Sequence, residues 1–468
     1  MARGKGRGAS QNREERSSQA WFISELTPCL HLHHVSSELR VCVVTDREAL
    51  FRAILANPDD DTLRLIYADA LEEANDTQRA AFIRSQVQLA RLPEYDPAWI
   101  RFKYIDREKL FGDLLDELPA LPEGIEWSSD PFRSGLPAAI KARTAESFVR
   151  HAEELFAIAP IEDLELTGVG LPEAQGFANC PWLDRLIRLS VPPGLGRYLA
   201  RILLGSSHYV RLRELHIGAG LSTRGTVSSV LRSGVFKQLT ALSYRDDLRN
   251  RAGSGYAGDG FVNELIKLSE PPHLQKLDLS ENRLTEASLM QLLPAQILHD
   301  VEELDLSDNN LGSEGFRVIA AAKLPKLRSL NLSRTRPEVS GVRSLCETGF
   351  LSDIRSLNLS TNHLHSSVGE VLAESKAIVN LRVLDLRQNR LGDEGVIALA
   401  NSPNLRNLAF LDLTENQIGD AGIDALINSP YLAGIVFLLI FGNSVSPENA
   451  TRLVQRFEGG VISKGMFE

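Results

Sequence analysis

The strongest constraint on this chain is a phrase that returns every 27 residues. The pattern L-x-x-L-x-L-x-x-N-x-L fits residues 274–284, 301–311, 354–364, 381–391 and 408–418, and more loosely 435–445. Its asparagines are Asn282, Asn309, Asn362, Asn389, Asn416 and Asn443, at intervals of 27, 53, 27, 27 and 27. The long interval holds a divergent copy, LRSLNLSRTRP, in which Thr335 replaces the asparagine. A unit this short cannot bury an apolar face alone, so each copy must bury its own against the next and the copies must stack into a solenoid.

The alternation within one copy assigns directions. In LRVLDLRQNRL, Leu384 and Leu386 point into the core from a short strand, while Val383, Asp385 and Arg387 point outward. Asn389 falls where the chain turns behind the strand, and its amide can pair with backbone groups that would otherwise be buried unpaired at about 1–3 kcal/mol each. These asparagines are therefore expected to form a structural ladder, with burial arguing against glycosylation. Asp393 is expected to cap the helix EGVIALANS, whose Val396, Leu399 and Ala400 close the core.

Weaker copies at 161–170, 186–194, 212–220 and 239–247 bring the count to ten or eleven units. Ahead of them FRSGLPAAIKAR (132–143) reads as an opening strand, and AESFVRHAEELFAIA reads as a helix that helps cap the apolar end of the array. With this long, helix-containing period the array resembles the leucine-rich repeats of the ribonuclease-inhibitor-like group. The resemblance implies an α/β fold: a right-handed βα horseshoe with a parallel concave sheet and convex helices.

The outward strand positions are the candidate partner site. Asp278, Asp305, Asn331, Asn358, Asp385 and Asp412 occupy one row, and Lys276, Glu303, Arg387, Phe410 and Glu415 occupy neighbouring positions. An acidic band on a rigid scaffold suits a protein partner with a basic surface, although Asp-Leu is equally the solvated consensus of such a repeat. The last unit, IVFLLIFGNSV, is apolar on both faces, with Phe437, Leu439 and Phe441 at outward positions. It is expected to be covered by its own cap helix, PENATRLVQRF; left open, it would invite pairing with another chain.

The array, residues 132–457, is preceded by a small all-α domain over 44–118 and a linker over 119–131, and followed by a tail over 458–468. Asn57 is expected as an N-cap with Pro58 at the first helical position, and Asp59, Asp60 and Asp61 where the helix dipole favours carboxylates. Leu63, Ile66, Tyr67, Ala70 and Leu71 should form the buried face, with Glu72 and Glu73 in water. Further helices are expected in TQRAAFIRSQVQLARL and REKLFGDLLDEL. The stretch NPDDDTLRLIYADALEE, followed by RAAFIRSQ, resembles the repeat-companion domain found in some bacteria beside leucine-rich repeats. Ala70 stands where that family usually carries tryptophan, and the resemblance implies architecture but no chemistry.

Residues 1–43 have the Gly- and Ser-rich basic composition of a disordered leader, and translation is expected to begin at Val44. Cys29, His31, His33 and His34 could bind a soft metal, but no flanking residue orients them and no metal is expected. Without the leader's six basic and four acidic residues the net charge moves from −10 to −12, which argues against a nucleic-acid partner. Cys29, Cys42, Cys180 and Cys346 lack metal or disulfide spacing, and no apolar run reaches a membrane span of about 18 residues. A cytoplasmic protein is expected.

Two decoys remain. GSGYAG (253–258) fits G-x-G-x-x-G with Asp278 twenty residues on, but a solenoid has no doubly wound crevice, so no cofactor is expected. Arg334 and Arg336 project from the unit lacking asparagine. The ribonuclease-inhibitor-like group includes GTPase-activating regulators, so an arginine lent to a partner's phosphate site is the alternative function. The ten histidines assemble into no catalytic arrangement, and the leading expectation is a non-enzymatic scaffold binding protein on its concave face.

Overall fold

The computed structural model describes residues 46–107, 114–192, 196–218, 224–245, 258–457 and 461–462. The leader with its Cys-His cluster and Val44, residues 108–113 of REKLFGDLLDEL, GSGYA and nearly all of the tail lie outside these residues, and residues 114–117 of the expected helix REKLFGDLLDEL form a turn.

Four helical segments come first: α1 (Asp46–Ala56), α2 (Asp61–Glu73), α3 (Thr77–Leu89) and α4 (Pro97–Arg101), the last running into a π-helical turn, Phe102–Asp106. Asn57 is not the cap of α2. Asp60 is, its side chain accepting from the Thr62 N–H at 2.8 Å, because Asn57 and Pro58 are used in the turn that ends α1. The buried face of α2 is also rotated from expectation. Arg64, Tyr67, Ala68 and Leu71 are buried, while Ile66 is 44% exposed, because the array offers Arg64 a buried carboxylate.

The array is an α/β solenoid. Its strands are β4 (Ala139–Ala142), β5 (Asp163–Leu166), β6 (Arg188–Val191), β7 (Glu214–Ile217), β8 (Ala241–Tyr244), β9 (Lys276–Asp278), β10 (Glu303–Asp305), β11 (Ser329–Asn331), β12 (Ser356–Asn358), β13 (Val383–Asp385), β14 (Phe410–Asp412), β15 (Phe437–Leu439) and β16 (Val461–Ile462), paired in that order and all parallel. A further strand, β1 (Ile125–Trp127), comes from the stretch expected as linker and pairs antiparallel with β4, covering the first edge. The register places Leu277, Leu304, Leu330, Leu357, Leu384, Leu411 and Leu438 side by side. These leucines belong to one buried cluster running from Ile125 to Phe457, a single apolar spine rather than separate cores.

The turn behind each strand is held by its asparagine. Asn389 donates from Nδ2 to the carbonyls of Leu359 (3.1 Å) and Leu386 (2.9 Å), and its Oδ1 accepts from the N–H groups of Asn362 and Leu364 (3.0 Å each). Asn309, Asn362 and Asn443 also reach back to the preceding unit's carbonyl and bond its backbone N–H groups through Oδ1. Thr335 keeps only part of this, donating from Oγ1 to Leu332 O at 2.6 Å. Asp393 does not cap its own helix, Gly392–Ala400. Its Oδ1 accepts from Gly419 and Gly422 N–H (2.7 and 3.0 Å), capping the helix of the next unit, and Asp420 does likewise for Ser446. One turn of chain separates neighbouring helix starts, so a carboxylate in the first turn reaches the neighbour's free N–H groups.

The helical domain docks on the start of the array through a hairpin, β2 (Phe132–Arg133) and β3 (Leu136–Pro137). Leu136 enters the cluster of Ile54, Tyr67, Leu71 and Ile83, and Phe132 joins Phe82, Leu89 and Phe102. The turn between them needs glycine: Gly135 has φ +83°, and a Cβ there would lie 2.4 Å from Ile83 Cα.

Candidate interaction surface

The parallel register brings Asp278, Asp305, Asn331, Asn358, Asp385 and Asp412 into one row across β9–β14. Each also does local work, since its side-chain oxygen accepts from the N–H two residues on, at Ser280, Ser307, Ser333, Ser360, Arg387 and Thr414 respectively (2.8–3.1 Å). These Asx turns close the strand ends, which explains why Asn and Asp alternate freely in the row.

The band is less negative than its composition suggests. Arg245 pairs with Asp278 at 2.6 Å and Lys276 with Glu303 at 2.9 Å, while Asn331 donates to Asp305 at 2.8 Å. Burial alone would raise the Asp278 carboxyl, but the Ser280 bonds and Arg245 hold it below the usual range. Asp305 and Glu303 go the other way, pushed up by burial. Burial also pushes Asp385 up to about 6, with the Asp412 carboxylate adding to it, and raises Asp412. Arg387 is exposed just past β13, and Glu415 lies at the rim with φ +55° rather than on a strand.

At the far end the row meets the helical domain. Tyr104 stacks on Phe410 (centroids 4.9 Å, planes 26° apart) and on Phe437 (4.8 Å, 19°), and Ile100 packs with Ala409, Phe410 and Phe437. Phe437 is thus buried, but not by its own cap. The helix Pro447–Arg456 instead bonds the preceding helix, through Arg452 to Asp424 and Asn449 to Asp420, while Ile100 and Tyr104 cover Phe410 and Phe437 and leave Phe441 exposed. The π-helical turn makes this possible, because Phe102 points back into the helical core while Tyr104 faces the sheet. Lys103 lies 4.9 Å from the Trp99 ring centroid and 5.3 Å from that of Tyr104.

At the near end the same domain is pinned by charge. Arg64, 3% exposed, faces Glu162 at 3.7 Å, and Arg211 faces Glu162 at 3.8 Å and bonds Asp59. Burial pushes Glu162 up to about 7 despite both guanidiniums. Strands β5 and β15 are ten intervals apart, about 48 Å along a flat sheet. A domain of this size is only about 27 Å across. One domain touching both ends therefore requires the strand face to curve around it.

Sequence reasoning grouped the row residues and Phe410, but missed Ile100, Tyr104, Arg245 and Glu162. The signal available was the pair of outward phenylalanines, which demanded a cover without naming it. On the rim, Arg334 and Arg336 come together with Asp308, Asn310, Thr361 and His363 around a cavity of about 410 Å³, with Arg334 3.4 Å from Asp308. Among the described residues no helix is long and apolar enough to cross a membrane, and no cluster of three or more His, Cys, Asp or Glu side chains could hold a metal.

A family profile described as leucine-rich repeat matches residues 270–292, 298–320, 379–400 and 404–426, so these units are leucine-rich repeats. Comparison with curated protein sequences gives no match. Among solved structures, a chain of the yeast Rad7–Elc1 complex is similar at 15% identity over 93% of this chain and 99% of its own, with a TM-score of 0.44. An internalin of Listeria monocytogenes is similar at 14% identity over 65% and 79%, TM-score 0.34. The tropomodulin C-terminal domain of Caenorhabditis elegans is similar at 18% over 32% and 92%, TM-score 0.27.

Proposed function

We propose that the chain is a non-enzymatic, cytoplasmic interaction scaffold that binds a protein partner on its curved strand face. The observation that carries this reading is the registered row across β9–β14, which presents outward side chains from successive units on one continuous core. Such a surface offers many contacts at little cost in conformational entropy, because its backbone is already fixed. Leucine-rich-repeat proteins in general work as interaction scaffolds. Asp305, Asn331 and Asn358 form the half-exposed middle of the row, with exposed Lys276 and half-exposed Glu303 beside it, and a partner with a basic surface suits its remaining carboxylates. The test is affinity capture from the native cell with the full chain, repeated with Asp305→Lys and Asp385→Lys. A partner that is lost on charge reversal supports the reading, and one captured equally by both chains defeats it.

A second reading is favoured by one observation, the convergence of Arg334 and Arg336 on a single rim cavity. In this reading an arginine is lent to a nucleotide-hydrolysing partner, where it would offset charge developing on the transferred phosphate. Stimulated GTP turnover by a captured partner, abolished by Arg334→Ala or by Arg336→Ala, supports it; turnover unchanged by both substitutions excludes it.

A further inference from the structure

The helical domain holds the array in two different ways. Its near end is anchored by a buried ion network and by the Gly135 hairpin inserted among its helices, whereas its far end rests on a few side chains of one short helical segment. The repeats themselves change where that segment lands. The first outward position of the strand is Lys276, Glu303, Ser329 and Ser356 in β9–β12, half-buried Val383 in β13, then Phe410 and Phe437 in β14 and β15. Units that otherwise keep a solvated face have therefore built an apolar seat at one place only among the described strands of this series.

We propose that this seat, β13–β15, is a receptor for a short amphipathic helix carrying an aliphatic residue and a tyrosine four positions apart, and that residues 97–106 fill it in cis until a partner helix of that chemistry replaces them. The inference rests on the scaffold reading and specifies its partner. Ile100 and Tyr104 supply the spacing, which places both side chains on one helix face. Asp385 and Asp412 border the tyrosine, and Lys103 lies against its ring, so the helix that fits best also carries a basic residue beside it.

Three features make the occupant replaceable. Its helix is a short α turn broken by a π turn, a geometry rarely kept without a functional reason. Its tyrosine sits beside Asp385 and Asp412, two carboxylates with Arg387 nearby, so a partner helix that brings a further cation would complement them better than the cis segment does. Its release leaves the repeat spine intact, because Phe410 and Phe437 lie outside that cluster. A site filled in cis binds in trans with an affinity reduced by the fraction of time it stands open.

The test uses a fluorescent synthetic peptide of residues 94–107 and the full chain. Fluorescence anisotropy should show binding to Tyr104→Asp at least about ten-fold tighter than to wild type, and loss of binding when Phe437→Asp is added. In the wild type, saturating peptide should speed hydrogen exchange within residues 97–106. If circular dichroism shows that Tyr104→Asp unfolds the chain, Ile100→Ser serves as the opened variant with the same expectation. Equal affinity for closed and opened chains, no binding to an opened folded chain, or exchange unchanged at saturation overturns the proposal. No natural partner enters this assay, so its failure leaves the scaffold reading standing, and its success beside a failed capture would leave the seat real but the scaffold reading wrong.

Discussion

Gly135 lies against Ile83 so closely that the two backbones nearly touch: a Cβ on the glycine would stand 2.4 Å from the Cα of the isoleucine. One residue belongs to the hairpin that opens the array and the other to the third helix of the preceding domain, so this contact sets how deeply the two parts interlock. Gly135→Ala adds both a clash with backbone and a strained φ of +83°, and is expected to weaken docking by at least about 2 kcal/mol. The measurement is hydrogen-exchange protection of residues 46–107 against that of the repeats. The helical domain should lose protection while β9–β14 keep theirs.

Docking should also strengthen in mild acid. Burial raises Glu162 from 4.5 to about 7, with Arg64 and Arg211 only partly offsetting it. A carboxyl raised on docking takes up a proton, so its contribution is fully present below about 4.5 and is lost as pH rises through about 7. Protection of α1–α3 is expected to fall between pH 5 and 8, at about those values, and Glu162→Gln should flatten the profile.

A neutral amide at position 385 should stabilise the array. Asp385 is raised from 3.8 to about 6 by burial and by Asp412, while its Oδ1 accepts from the Arg387 N–H. Asn358, one unit earlier, makes the same bond with an amide. Asp385→Asn therefore keeps the turn and removes a buried charge, for a gain of up to about 3 kcal/mol above pH 6 that vanishes near pH 4. Urea unfolding at the two pH values checks it, and a loss of stability at pH 8 would contradict the account.

Asn389→Ala removes two donors and one shared acceptor from the middle of the ladder. It takes from the N–H groups of Asn362 and Leu364 the acceptor they share in a dry core, while the carbonyls of Leu359 and Leu386 keep their bonds from Asn362 and Asn416. The expected loss is about 3–5 kcal/mol by chemical unfolding, larger than for an exposed asparagine on the same unit such as Asn401.

Both the strands of the weak early copies and the leucine register of the late ones were legible in the sequence, because in a stacked solenoid every contact that matters falls at a nearly constant separation along the chain. A period of 27 is the tertiary structure written locally: Leu384 meets Leu357 and Leu411 because each unit repeats the last. The Asx role of Asp385 was half legible, since the residue pair recurs but its bond to Arg387 depends on the turn.

What the folded chain alone decided lies between distant segments. Tyr104 on Phe437, Arg64 beside Glu162 and the insertion of Phe132 and Leu136 among helices carry no period, and their partners are chosen by the curvature that many small rotations between units add up to. Even the cap by Asp393 went to the next helix rather than its own, because reach across the stack, not order along the chain, determines which N–H a carboxylate meets.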